Sequence, residues 1–227
     1  MGIFSSLTRR GGKALAPRIG QVAPGFTDGF LQKVLDRAVR GVGPFDPAAQ
    51  VADEALTEHG GNLEEALDAL VRSHSKLAAT QGFVTNIGGL VTMAVSVPAN
   101  VTGLTLVQLR LHAALAHLHG HDLGSPSVRS AVLVTLLGHD ETEQLVKKGK
   151  LPGNARWLAS AGSVSPETPQ QVATQVAATL IGQLGGKQLA STVGKRIPLF
   201  GGIVGAGTDA RATWKLGHQA AEDLRKT

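Results

Sequence analysis

Seven side chains able to bind a metal or move a proton crowd into one stretch of the chain: His112, His117, His119, His121, Asp122, His139 and Asp140. An imidazole can ligate zinc, nickel or iron, or act as acid or base near neutral pH. Their spacing argues against a shared ion. On a helix His117 and His121 lie on one face while His119 points away, and Gly120 ends the helix between them. Histidines at a helix end, favoured there by the helix dipole, are therefore expected, with no metal and no other cofactor.

The remaining candidates are charges set in apolar surroundings. Arg110 follows a long uncharged run, and Asp209 and Arg211 follow a glycine-rich apolar turn. A buried charge without a partner costs several kcal/mol, so these groups must pair or reach water, and structural ion pairs are the commoner outcome. Familiar catalytic patterns are missing from the sequence. Gly186-Lys187 and Gly194-Lys195 lack the upstream glycine and the following Ser/Thr of a phosphate loop, and no Gly-x-Ser-x-Gly, His-Glu-x-x-His or dinucleotide fingerprint occurs. With no cysteine, a disulfide framework, a thiolate zinc site and a cysteine nucleophile are excluded.

The elements that would carry these residues read as helices. Phe30, Leu31, Val34, Leu35, Ala38 and Val39 recur at helical spacing until Gly41 and Gly43. Asp46-Pro47 reads as an N-cap and first-turn proline for a helix to about His59. Asn62 caps the next helix with Glu65 three residues on, and its apolar stripe is Leu63, Ala66, Leu67, Leu70, Val71, His74 and Leu77. Residues 83–109 hold no charge, but Gly88, Gly89 and Pro98 divide them into two helices, the second continuing to Gly120. A buried helical hairpin is the favoured reading of that run, with insertion into a bilayer as its alternative. Ser125-Pro126 restarts a helix that leads to Gly138, residues 139–150 are polar, and 151–171 read as an exposed connection. Thr168-Pro169 then opens a helix closed by Gly185-Gly186, and a last helix runs from near Pro198 to near Leu224. No run alternates at strand period.

These elements describe an all-α, multi-helix bundle in which two glycine-rich apolar hairpins, at 82–120 and 168–224, pack together. A basic flexible segment at 1–26 precedes short amphipathic helices at 27–80, which form one domain with the glycine-rich core at 81–227. Of 227 residues 42% are hydrophobic, 29 are glycine and only 17% are charged, which excludes a disordered chain and a highly charged coiled coil. Residues 1–50 carry seven Lys/Arg against three Asp/Glu, 51–80 carry two against six, and 187–227 carry seven against three. Basic ends suit an anionic lipid surface. Six Phe, two Trp and no Tyr leave few platforms for stacking bases, so nucleic acid is not expected as a partner. No long apolar run follows the basic residues at the start, which points to the cytoplasm.

Gly82-Phe83-Val84-Thr85-Asn86-Ile87-Gly88-Gly89, then Pro98-Ala99-Asn100, then 116–123 with His119-Gly120-His121-Asp122, together resemble the core of the EcsC family. Lys195-Arg196-Ile197-Pro198-Leu199-Phe200-Gly201, followed by Gly205, resembles that family's Lys-x-x-Pro-x-x-Gly-x-x-x-Gly signature. The likeness spans roughly residues 50–224. One departure is that His119 and His121 stand where the family's first block has tyrosines. The resemblance implies a bacterial, helical protein close to the membrane, without an assigned reaction. On that basis the chain is expected to bind a lipid or other apolar small molecule, or the membrane surface, without catalysis, in the cytoplasm or peripherally on the inner face of the cell membrane. The ligand-binding residues expected are Thr85, Asn86, Arg110, His117, Asp122 and Asp209, with Gly88, Gly89, Gly201 and Gly205 as close-packing positions. Two alternatives stay open. One is a hydrolase-like enzyme acting on a lipid or cell-envelope precursor with Asp122, Asp209 and a histidine as acid and base; the other is a scaffold for a membrane transporter.

Overall fold

Thr27 sets the first helix in place by accepting a hydrogen bond from the Phe30 N–H at 3.2 Å. Helix α1 (Asp28–Arg40) buries Phe30, Leu31, Val34, Leu35 and Ala38, and Gly41 ends it at φ 86°. That conformation suits glycine alone, since a Cβ there would lie 2.7 Å from the Phe45 carbonyl oxygen. The structure, a computed structural model, describes residues 27–79, 99–193 and 206–226. The basic segment 1–26 lies outside these residues, as do Thr85, Asn86, Gly88, Gly89, Gly201 and Gly205.

An isolated bridge between Val42 and Phe45 folds the chain into α2 (Ala48–Glu58). Here the expected cap is corrected. Pro47 holds the N-cap position without a side-chain bond, and Asp46 instead offers its carbonyl to Arg110. Before α3 (Leu63–Ala79) the expected reciprocal cap is present: Asn62 Oδ1 accepts from the Glu65 N–H at 3.3 Å, and Glu65 Oε1 accepts from Asn62 Nδ2 at 2.8 Å.

Helix α4 spans Ala99–Leu118, and the expected break at Val97-Pro98 lies outside the described residues. Every residue from 101 to 116 is buried, and the helix touches α1, α2, α3, α5 and α9. This half of the uncharged run is the centre of the bundle. Around it α5 (Pro126–Val134) continues through a single 3-10 turn (Thr135–Leu137) to Gly138.

The next stretch departs from the expected polar segment and exposed connection. It folds into α6 (His139–Lys147) and α7 (Ala155–Ser160), and Leu145, Leu151, Ala155 and Leu158 are buried. Asn154 caps α7 by accepting from the Trp157 N–H at 2.9 Å. The glycine pair at 185–186 does not stop α8 (Thr168–Val193), because glycine inside a helix costs only about 1 kcal/mol relative to alanine and Gln188, Leu189 and Ala190 favour continuation. Helix α9 (Ala206–Asp223) closes the order. The described residues are all-helical apart from turns, and no helix among them is long and apolar enough to cross a membrane.

Helix α9 lies in the groove between α3 and α4. Gly217 permits it: a Cβ there would come within 2.9 Å of a Leu111 methyl and 3.1 Å of a Val71 methyl. Asp68 faces His218 and Glu64 faces Arg225, so α3 and α9 run antiparallel. Gln108 bonds Thr213 and His121 bonds the Leu224 carbonyl, so α4 and α9 run parallel. The ends at Ala79, Ala99 and Ala206 therefore share one side of the core.

Two glycines with opposite surroundings test this packing. Gly217→Leu forces Leu111 and Val71 apart and is expected to cost at least about 1–3 kcal/mol, read as a lowered thermal midpoint. Gly182, mid-helix with nothing within 4 Å of its Cβ position, should gain up to about 1 kcal/mol as Gly182→Ala.

Candidate functional site

Arg110 projects from the central helix toward the α1–α2 connection. Its Nε donates to the Asp46 carbonyl at 3.0 Å, and its guanidinium carbon sits 5.0 Å from the centre of the Phe45 ring. Burial pulls its pKa below the ordinary arginine value, opposed by the charges of Asp46 and Glu54. The group is a clamp on the 41–47 turn. On the outer face of α2, Pro47, Ala49, Gln50, Asp53, Glu54, Thr57 and Glu58 line an open hollow of ≈ 600 Å³, and His117 reaches its rim through a 2.9 Å contact to Asp53.

At the end of α4 the His-Gly-His turn holds the C-terminus of α9. The last carbonyls of a helix have no partner within it. His119 Nε2 donates to the Ala221 carbonyl at 2.9 Å and His121 Nε2 to the Leu224 carbonyl at 2.8 Å, while Lys226 returns a bond to the Gly120 carbonyl at 3.0 Å. Burial lowers the His119 pKa, with the Ala221 carbonyl opposing. The histidines sit at the end of α4, and the carbonyls that His119 and His121 bond belong to the end of α9. The helix ends between His117 and His121 as expected: α4 stops at Leu118, Gly120 takes φ 77°, and the two rings turn to Asp53 and to Leu224. Asp122 is exposed and spends Oδ1 on the Gly124 N–H at 2.8 Å. His139 contacts Asp223 at 3.1 Å.

A polar seam missed by motif reasoning runs between α3, α4 and α9. His74 donates from Nδ1 to the Leu70 carbonyl at 2.9 Å, and His112 from Nδ1 to Thr135 Oγ1 at 2.8 Å, the threonine hydroxyl being committed to the Val132 carbonyl at 2.7 Å. Both imidazoles thus keep a bare Nε2 lone pair, and neither Nε2 nor Ser75 Oγ has a partner in the structure. Gln108 Nε2 reaches the fully buried Thr213 at 3.4 Å. One turn earlier on α9, half-buried Asp209 has its carboxyl pKa raised by burial. His74 stands in the apolar stripe of α3, which was the available signal; Gln108 and Thr213 gave none until α9 was set against α4.

The sequence-derived candidates are not gathered into one site. Arg110 and His117 flank α2, Asp122 lies at the C-terminal end of α9, and Asp209 lies at its start, more than three helical turns from Ala221. No group of three or more His, Asp or Glu among the described residues is placed to hold a metal ion.

Burial holds His74 at a pKa of about 4 and His112 at about 3, against 6.5 when free. The neighbouring Arg110 charge lowers His74 further, and His74 lowers His112. Between pH 6.5 and about 4 the unfolded chain binds protons that the native one refuses, so stability falls as the pH falls, by up to about 1.4 kcal/mol per pH unit for each group. Thermal midpoints recorded from pH 7.5 to pH 4.5 should drop, and His74→Asn with His112→Asn should flatten that slope while lowering the midpoint at pH 7.5. An equal slope in parent and variant would remove these histidines as its cause.

A family model described as the EcsC protein family matches residues 47–226. No curated protein and no solved structure matches the chain. The match takes in α2 through α9, including the central helix, the His-Gly-His turn and the polar seam. The chain belongs to the EcsC family.

Proposed function

We propose that this is a non-catalytic helical protein of a bacterial cytoplasm that binds a lipid or other apolar ligand, or the inner membrane surface. One observation carries the reading: the ends of α3, α4 and α9 lie on the same side of the core. Residues 80–98 and 194–205 are attached there. The first stretch contains no charged residue, and the second contains Ile197-Pro198-Leu199-Phe200 and four glycines. Apolar and glycine-rich sequence of this kind suits a hydrocarbon chain, each buried methylene contributing about 0.8 kcal/mol. The enzyme alternative finds less support, since Asp122 and Asp209 lie at opposite ends of α9 and His119 and His121 are committed to carbonyls.

Organic extraction of the purified protein, followed by mass spectrometry, should yield co-purified lipid. The protein should also sediment with phosphatidylglycerol vesicles, and less so as salt rises from about 0.1 M to about 1 M, where the screening length shrinks from about 10 Å to about 3 Å. An extract without lipid, together with no vesicle binding at low salt, refutes the reading.

A further inference from the structure

The outer face shared by α3 and α9 combines three features that nothing so far explains. Trp214 is 50% exposed, and its ring meets only the edge of His218 at 4.4 Å in the described ring contacts. Arg211 and Lys215 are exposed on the same stripe of α9, one turn apart. The register that sets Val71 against Gly217 and Asp68 against His218 brings exposed Lys76 of α3 beside Arg211. Lys76, Arg211 and Lys215 take part in no ion pair among the described residues, whereas Arg72, one turn back, is already held by Asp68 at 3.2 Å.

The surroundings on this side are short of acid. After Asp68 no Asp or Glu occurs to the end of α3, none occurs in α4, and in α9 only the half-buried Asp209 precedes Glu222. At the other end of the same helices Asp53, Glu64, Asp122, Glu222 and Asp223 mix with Arg225 and Lys226. Cations therefore stand alone at the side where residues 80–98 attach.

We propose that this α3–α9 face, with Lys76, Arg211, Lys215 and Trp214, is the surface that meets an anionic bilayer. Tryptophan with one side packed and one side exposed favours the boundary between headgroup and hydrocarbon, and basic groups around it are drawn to acidic lipid. A nucleic acid fits less well, because one indole gives a single stacking platform. This inference rests on the lipid-binding reading and specifies which surface makes contact.

With only two tryptophans and no tyrosine, the chain reports on itself. In Trp157→Phe the remaining Trp214 emission should shift to the blue with phosphatidylglycerol vesicles and be quenched by brominated acyl chains, whereas in Trp214→Phe the remaining Trp157 should not respond. Neutralising Lys76→Gln, Arg211→Gln and Lys215→Gln together should weaken vesicle affinity on the order of a hundredfold, at about fivefold per basic group near the surface. The circular dichroism spectrum should stay that of the parent, since the three side chains are exposed and unpaired. If the parent binds vesicles while Trp214 stays silent, or the triple variant binds as tightly as the parent, this surface is wrong and the broader reading stands. If the parent binds no vesicle, both fall. Trp214 quenching by single-stranded RNA without any response to vesicles would overturn the proposal in favour of a nucleic-acid surface.

Discussion

The bundle depends on enclosing one helix on all sides. From 101 to 116 every residue of α4 is buried, and a helix buried around its whole circumference has no face to offer water. Five helices supply the cover. Small residues set how near they come: Ala113, Ala114 and Ala116 are fully buried on α4, and Gly217 brings α9 into contact with Leu111. The polar groups on α4 are held to this geometry. Arg110 must find a carbonyl, Gln108 must find Thr213, and His112 must find Thr135, so each neighbour is fixed in register by a hydrogen bond as well as by packing.

Much of this frame is legible in the sequence because its signals are local. The Asn62–Glu65 reciprocal cap and the stops at Gly41, Gly120 and Gly138 each depend on a few adjacent residues. Failures occur where local signals are weak or compete. α6 and α7 are short, and the Leu151, Ala155, Leu158 spacing was hidden among prolines and polar residues. At 185–186 two glycines read as a stop, although glycine only weakens a helix.

The candidate site was less legible, for a reason of distance. His119 and His121 looked like a cluster because they are close in sequence, yet their partners lie about a hundred positions away on α9. His74, Ser75, Gln108, His112 and Thr213 come from three helices and become a unit only when α9 is placed. A residue type at a spacing can suggest an ion or a proton transfer. Whether its nitrogen is free or already bonded to a carbonyl is a tertiary fact.

The groove that α9 fills also bears on how the chain is made. α3 and α4 leave the ribosome well before α9, and the contacts that join them to it, from Glu64 with Arg225 to Gln108 with Thr213, close loops of more than a hundred residues. Such closures are slow, and until they form, Val71 and Leu111 have lost the partner that covers them. During synthesis the nascent protein therefore leaves Val71 and Leu111 without their α9 cover until the last helix arrives.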